Sequence, residues 1–95
     1  MADSVSVIAN RLIRTRKALG YETQIELADE IGIPQNNYNT FEKGRRRISL
    51  GAALKMWDRF GVSLDWIYCG DASGVTFKRQ KMLASGKPPL LNRVI

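Results

Sequence analysis

Gln35, Asn36, Asn39 and Thr40 lie close together, and Lys43 and Arg45-Arg46-Arg47 follow at once. An Asn or Gln amide presents a donor and an acceptor side by side, the pattern that pairs bidentately with the adenine edge in the DNA major groove. Arginines grouped in a loop are suited to gripping phosphates. Each feature also has a bland reading: amide side chains serve helix caps, and charge runs are often no more than a solvated face. Their conjunction with a tight turn just before them is far more specific than either alone. Gln24 adds to it, because it stands at the start of the preceding helical segment, where a helix N-terminus can meet a backbone phosphate.

Other chemistries are poorly supplied. The chain has no histidine and a single cysteine, Cys69. That removes the commonest general base, every Ser-His or Cys-His nucleophile pair and an internal disulfide, and puts a tetrahedral zinc site out of reach. Cys69 reads as a small packed residue. No phosphate-binding glycine loop is present, so no enzyme activity, no metal and no cofactor is expected. The 95 residues suit one small domain, and 44% apolar with 25% charged residues is ordinary for a globular protein. No apolar run approaches the ~18 residues of a membrane span, and Met1-Ala2-Asp3-Ser4 does not open a secretory signal. A cytoplasmic location without membrane attachment is the expectation.

The reading residues must be positioned by helices. Residues 5–19 carry Val5, Ile8, Leu12 and Leu19 on one stripe, with Ser4 as N-cap and Gly20 as the stop. Arg16 falls on that same stripe and therefore needs a partner. Thr23 and Glu26 form a capping box ahead of Leu27, Ala28 and Ile31, and Gly32-Ile33-Pro34 makes a tight turn. Residues 35–43 follow as a helix with Tyr38 and Phe41 inward and Asn36, Thr40 and Lys43 on the opposite face; Asn39 lies beside them and Gln35 at the leading end. Two short helices joined by a glycine turn make a helix-turn-helix. Ser49 opens a fourth helix with Leu50, Ala53, Leu54, Trp57 and Phe60 as its apolar face, and Ser63 opens a fifth containing Leu64, Trp66, Ile67 and Tyr68. Trp57 and Trp66 are both expected in the core.

The pattern weakens after Gly74. Residues 1–73 hold ten bases and nine acids, whereas residues 74–95 hold five bases and no acid. The expected organisation is a domain over 1–73 and a basic C-terminal extension over 74–95. Residues 75–84 have apolar side chains for a further helical turn or two, or remain disordered, and Lys87-Pro88-Pro89 favours an extended path.

Residues 8–70 resemble the Cro/repressor-type helix-turn-helix family, the phage-repressor-like DNA-binding domains of bacteria. The matching string is Thr23-Gln24-x-x-Leu27-Ala28-x-x-x-Gly32-Ile33, then Tyr38, Phe41, Glu42 and Gly44, then Ser49 and Gly61-Val62-Ser63-Leu64-Asp65-Trp66. The resemblance implies an all-α, compact five-helix lambda-repressor-like fold with the helix from residue 35 as the recognition helix. It places base contacts on Gln35, Asn36 and Thr40, with Asn39 on the adjoining face, and phosphate contacts on Gln24, Lys43 and the loop residues Arg45, Arg46 and Arg47. It also implies a structural ion pair between Arg16 and Glu42. Three departures stand out: Tyr21-Glu22-Thr23 makes the link between the first two helices one residue longer than usual, Pro34 occupies a position usually held by a capping Ser or Thr, and Tyr38 is bulkier than the usual aliphatic residue.

The function implied is a sequence-specific transcriptional regulator, a repressor, reading double-stranded DNA in the major groove as a homodimer on a palindromic operator in the bacterial nucleoid. The competing reading is an antitoxin-like protein-binding module whose residues 74–95 dock on a protein partner.

Overall fold

The computed structural model describes residues 2–72, which form five α-helices and, among the described residues, no strand. The expected basic extension over 74–95, including the helical turns considered for 75–84, lies outside the described residues. Helix α1 spans Val5–Ala18, α2 Gln24–Ile31, α3 Gln35–Glu42, α4 Leu50–Phe60 and α5 Leu64–Cys69.

Local capping chemistry sets most of these bounds. The hydroxyls of Ser4, Thr23, Ser49 and Ser63 each accept from a first-turn amide, satisfying donors that a helix end leaves unpaired. At Thr23 the Glu26 carboxylate returns the contact to the Thr23 amide at 3.1 Å, completing the capping box. Helix α2 stops at Gly32, whose φ of 74° is left-handed, and Ile33 N–H then bonds back to the Ala28 carbonyl at 3.0 Å. Helix α3 starts differently from its neighbours. Pro34 is its N-cap and supplies no side-chain capping hydrogen bond.

The core is assembled where α1, α2 and α3 meet α4 and α5. Ile8, Leu12, Leu27, Tyr38, Met56, Phe60 and Ile67 are fully or almost fully buried. Trp66 packs into this core, and its indole N–H donates to Thr15 Oγ1 at 2.9 Å, while the Thr15 hydroxyl donates to the Arg11 carbonyl at 2.7 Å. Both polar atoms are thereby satisfied inside an apolar environment, where an unpaired donor costs about 1–3 kcal/mol.

Helix α4 departs from its expected orientation. Its inward residues are Ala52, Ala53, Met56 and Phe60, whereas Leu50, Leu54 and Trp57 are 59%, 40% and 56% exposed. Apolar side chains cover two adjoining faces of this helix, and the one with two alanines lets α4 approach its neighbours most closely. Trp57 is therefore on the surface, and of the two tryptophans only Trp66 belongs to the core. Cys69 is exposed as well, rather than packed.

Candidate nucleic-acid interface

Successive side chains on α3 are rotated by about 100°. With Tyr38, Phe41 and Glu42 buried, Asn36, Asn37 and Lys43 are left exposed and Thr40 half-buried at the edge of the same outward face. Gln35 is exposed at the leading end and Asn39 is half-buried on the flank. The Thr40 hydroxyl donates to the Asn36 carbonyl at 2.9 Å, so its proton is used within the helix and the γ-methyl with the oxygen lone pairs remain to meet a ligand. Asn37 is an addition to the expected set. It lines a small cleft of about 150 Å³ together with Thr40, Phe41, Arg46 and Ser49. Its position beside Thr40 on the helical wheel was the available signal.

The three arginines after α3 do not share one role. Gly44, at φ 73°, turns the chain out of the helix, and Arg45 N–H then caps the Thr40 carbonyl at 3.2 Å. The far end of the loop is pinned: Arg47 Nη1 donates to the Asp3 carbonyl at 2.6 Å, and the Tyr68 hydroxyl donates to the Ile48 carbonyl at 2.7 Å. Asp3 is itself held by α5 and α1, through its N–H to the Tyr68 carbonyl at 2.7 Å and its carboxylate to Arg11 at 2.5 Å. Arg45 and Arg46 consequently project from an anchored loop beside the amide face, while Arg47 ties the loop to the N-terminal segment.

Beneath the amide face, Glu42 is neutralised from within. Arg16 Nε donates to Glu42 Oε2 at 2.8 Å and Nη2 to Oε1 at 3.3 Å, and Nη1 reaches the carbonyls of Tyr21 and Glu22 at 3.1 and 2.6 Å. Burial opposes the guanidinium charge, but the hydrogen bond to Glu42 and its negative charge outweigh it, and the Arg16 pKa is raised. Arg16 thus welds α1 to α3 and also fixes the link into α2. Gln24 joins the same cluster: its Nε2 donates to Glu42 Oε1 at 3.0 Å, and Gln35 Nε2 approaches Gln24 Oε1 at 3.5 Å. A chain of polar groups therefore runs from the buried pair out to the leading end of α3. Because Glu42 is the one carboxylate of α3 and its charge is met internally, the outward face of α3 carries amides, the Thr40 hydroxyl and Lys43 but no anion.

Tyr38 fills the space beside that cluster. Its ring is fully buried, and its hydroxyl, beside the Glu42 carboxylate, has no partner at good hydrogen-bond geometry among the described residues. Burial, with the nearby Glu42 charge second, pushes the phenol far above its ordinary value. The Tyr38→Phe variant is therefore expected to be more stable than the wild type by about 1 kcal/mol, since it removes a buried hydroxyl that has no well-formed hydrogen bond among the described residues. The pH dependence follows in sign. The unfolded chain loses the Tyr38 proton near pH ~10 while the folded chain retains it, so stability is intact below that pH and falls as pH rises above it. Urea unfolding at about pH 9 and about pH 11 should show a smaller alkaline loss for Tyr38→Phe than for wild type. An equal loss in both proteins would mean that the phenol ionises normally in the fold.

Comparison with known proteins accords with this geometry. The helix-turn-helix family matches residues 12–67. The chain is also similar to the cryptic phage CTXphi transcriptional repressor RstR of Vibrio cholerae serotype O1, with 36% identity over 63 residues. That alignment takes in 66% of this chain and 54% of the relative, so the chain spans about half the length of the curated relative it matches. No solved structure matches it at a significant level. Among the described residues, no helix is long and apolar enough to cross a membrane. The family match extends from the middle of α1 through the two helices of the turn and into α5, and so includes every element that positions the amide face: the chain belongs to the Cro/repressor-type helix-turn-helix family.

Proposed function

We propose that this DNA-binding transcriptional regulator acts as a repressor, laying α3 in the major groove and binding as a homodimer to a two-fold symmetric operator. The observation that carries the reading is the outward face of α3: exposed amides at Gln35, Asn36 and Asn37, flanked by Lys43, Arg45 and Arg46, with Glu42 withdrawn into an internal ion pair. Asn36, Thr40 and Gln35 read base edges in this proposal, with Asn39 and Asn37 on the flanks. Lys43, Arg45 and Arg46 grip phosphate, and the uncapped N-terminus of α3 adds a favourable dipole toward the backbone. Gln24 supports Gln35 and Glu42 from within, and phosphate contact by Gln24 would be made from that hydrogen-bonded position. Arg47 contributes to the interface chiefly by holding the loop in place.

Area favours a dimer. A single reading module buries about 600–1,000 Å² on DNA, at or below the lower end of the about 1,000–2,500 Å² of specific complexes. Two copies reading half-sites about 34 Å apart, one helical turn, would double the contact on a two-fold symmetric site. The basic residues of the 74–95 extension would add phosphate attraction without sequence information. Selection of bound duplexes from a random pool tests the proposal. Recovery of an inverted repeat with half-sites spaced by about one turn is expected. Enrichment of an asymmetric site, or of no motif, overturns the dimeric reading or the specific one respectively.

A further inference from the structure

We infer that the exposed apolar face of α4 is the surface on which a second copy of this chain docks, in an antiparallel pair related by a two-fold axis. The inference deepens the dimeric reading above and rests on it for its biological sense, although the surface itself is visible without DNA. Leu50, Leu54 and Trp57 follow one another at i, i+4 and i+7 on one side of α4, and they are 59%, 40% and 56% exposed. Isolated exposed apolar residues are ordinary, but a continuous stripe containing a tryptophan is the usual composition of an interface centre. The stripe continues into a cleft of about 340 Å³ lined by Leu54, Trp57, Ser63, Leu64 and Asp65. A ridge and a hollow thus lie side by side on the same surface, which is what self-association about a two-fold axis needs.

Charge argues for a second copy rather than an unrelated partner. On one flank of the stripe Lys55 and Asp58 are both exposed, and neither is ion-paired among the described residues. On the other flank the helix turns into its own core through Ala53 and Phe60. Two antiparallel helices that face each other bring like flanks together. With the axis passing between positions 55 and 58, Lys55 of one subunit meets Asp58 of the partner subunit, and the reverse pair forms by symmetry. In that register Leu50 lies against the Ser63–Leu64 end of the other copy. Gly51, on the same flank, has nothing within 4 Å of where a Cβ would stand, so the partner backbone can come close.

Area sets the strength. Three part-exposed apolar side chains and the cleft beside them make a small contact, below the about 800 Å² per partner of a stable complex. The free protein is therefore a weak, concentration-dependent dimer. Occupancy of two half-sites on one duplex holds the copies at high effective concentration and completes the contact.

The test uses the full chain, first without DNA. Trp66 is buried in the core, so any change in tryptophan emission with protein concentration reports Trp57. The expected result is an emission that moves to the blue as concentration rises, together with faster sedimentation. Trp57→Glu and Leu54→Glu should each remain monomeric with unchanged helicity and melting. Lys55→Glu should weaken the dimer, and Lys55→Glu combined with Asp58→Lys should restore it, because the reciprocal pair is rebuilt with reversed signs. Blue emission that is independent of concentration would mean that residues 73–95 or another part of the same chain cover the stripe, and would overturn the inference. Red emission and monomeric sedimentation up to the solubility limit, or a Trp57→Glu protein that still dimerises, would overturn it as well. On DNA, Trp57→Glu should keep the wild-type affinity for a single half-site and lose about tenfold of the gain from a second one. Wild-type protein that dimerises through the stripe yet binds neither duplex would refute the DNA reading and leave the interface standing.

Discussion

Loss of either member of the Arg16–Glu42 pair should destabilise the domain by about 3–5 kcal/mol, a large share of the roughly 5–15 kcal/mol that holds a whole domain. The side chains are 8% and 2% exposed, so a survivor has little access to water. In Glu42→Ala, Arg16 keeps the carbonyls of Tyr21 and Glu22 but loses its counter-charge, and Gln24 loses its acceptor. In Arg16→Met, Glu42 loses its counter-charge and keeps the Gln24 amide, and the link between α1 and α2 loses two hydrogen bonds as well. Both charges are absent in Arg16→Met combined with Glu42→Leu, and an apolar pair of similar volume fills the site. That double variant should be hurt less than the sum of the single ones. Urea unfolding of the four proteins gives the coupling directly. Additive losses would show that the two residues contribute independently, and the weld between α1 and α3 would have to lie elsewhere.

The second large effect separates reading from gripping. Asn36→Ala should weaken binding to the selected duplex by about 1–3 kcal/mol and relax preference at one base pair, because a base contact carries sequence information. On a scrambled duplex the same variant should bind nearly as the wild type does. Arg45→Ala and Arg46→Ala should instead weaken both duplexes alike, and each should reduce the slope of log affinity against log salt by about one unit. Arg47→Ala is expected to behave differently from its two neighbours. Its guanidinium already holds the Asp3 carbonyl, so its loss loosens the loop and the N-terminal segment, with a smaller change in salt slope. A salt series on both duplexes decides among these outcomes. Equal losses for Asn36→Ala on the selected and scrambled DNA would mean that α3 is not the reading element.

The helices of this protein are legible in its sequence because their ends are decided locally. Ser4, Thr23, Ser49 and Ser63 supply first-turn acceptors, and Gly32, Gly61 and Gly70 take the left-handed cap conformation, all within a few residues of the positions they control. The amide face of α3 is legible for a similar reason: with Tyr38 and Phe41 inward on so short a helix, Asn36 and Thr40 have only the opposite side to occupy. Arg16 could be recognised as needing a partner from its place on an apolar stripe. Glu42 as that partner came from the family pattern, because 26 residues separate the two and periodicity carries no information across that distance.

Tertiary structure decided what periodicity left degenerate. Apolar residues cover more than half the circumference of α4, so two inward faces were compatible with its sequence. The face with Ala52 and Ala53 won because small side chains let the helix sit close on the core, and Leu50, Leu54 and Trp57 were left outside. The arginine run is uniform as a sequence, yet among the described residues the N-terminal segment holds Arg47 through the Asp3 carbonyl, which sets it apart from the exposed Arg45 and Arg46. Gln24 was drawn inward by an acceptor contributed from another helix. A residue's neighbours within one helix fix its direction, whereas its partner depends on how distant segments pack, and that packing set the positions and contacts of Trp57, Arg47 and Gln24.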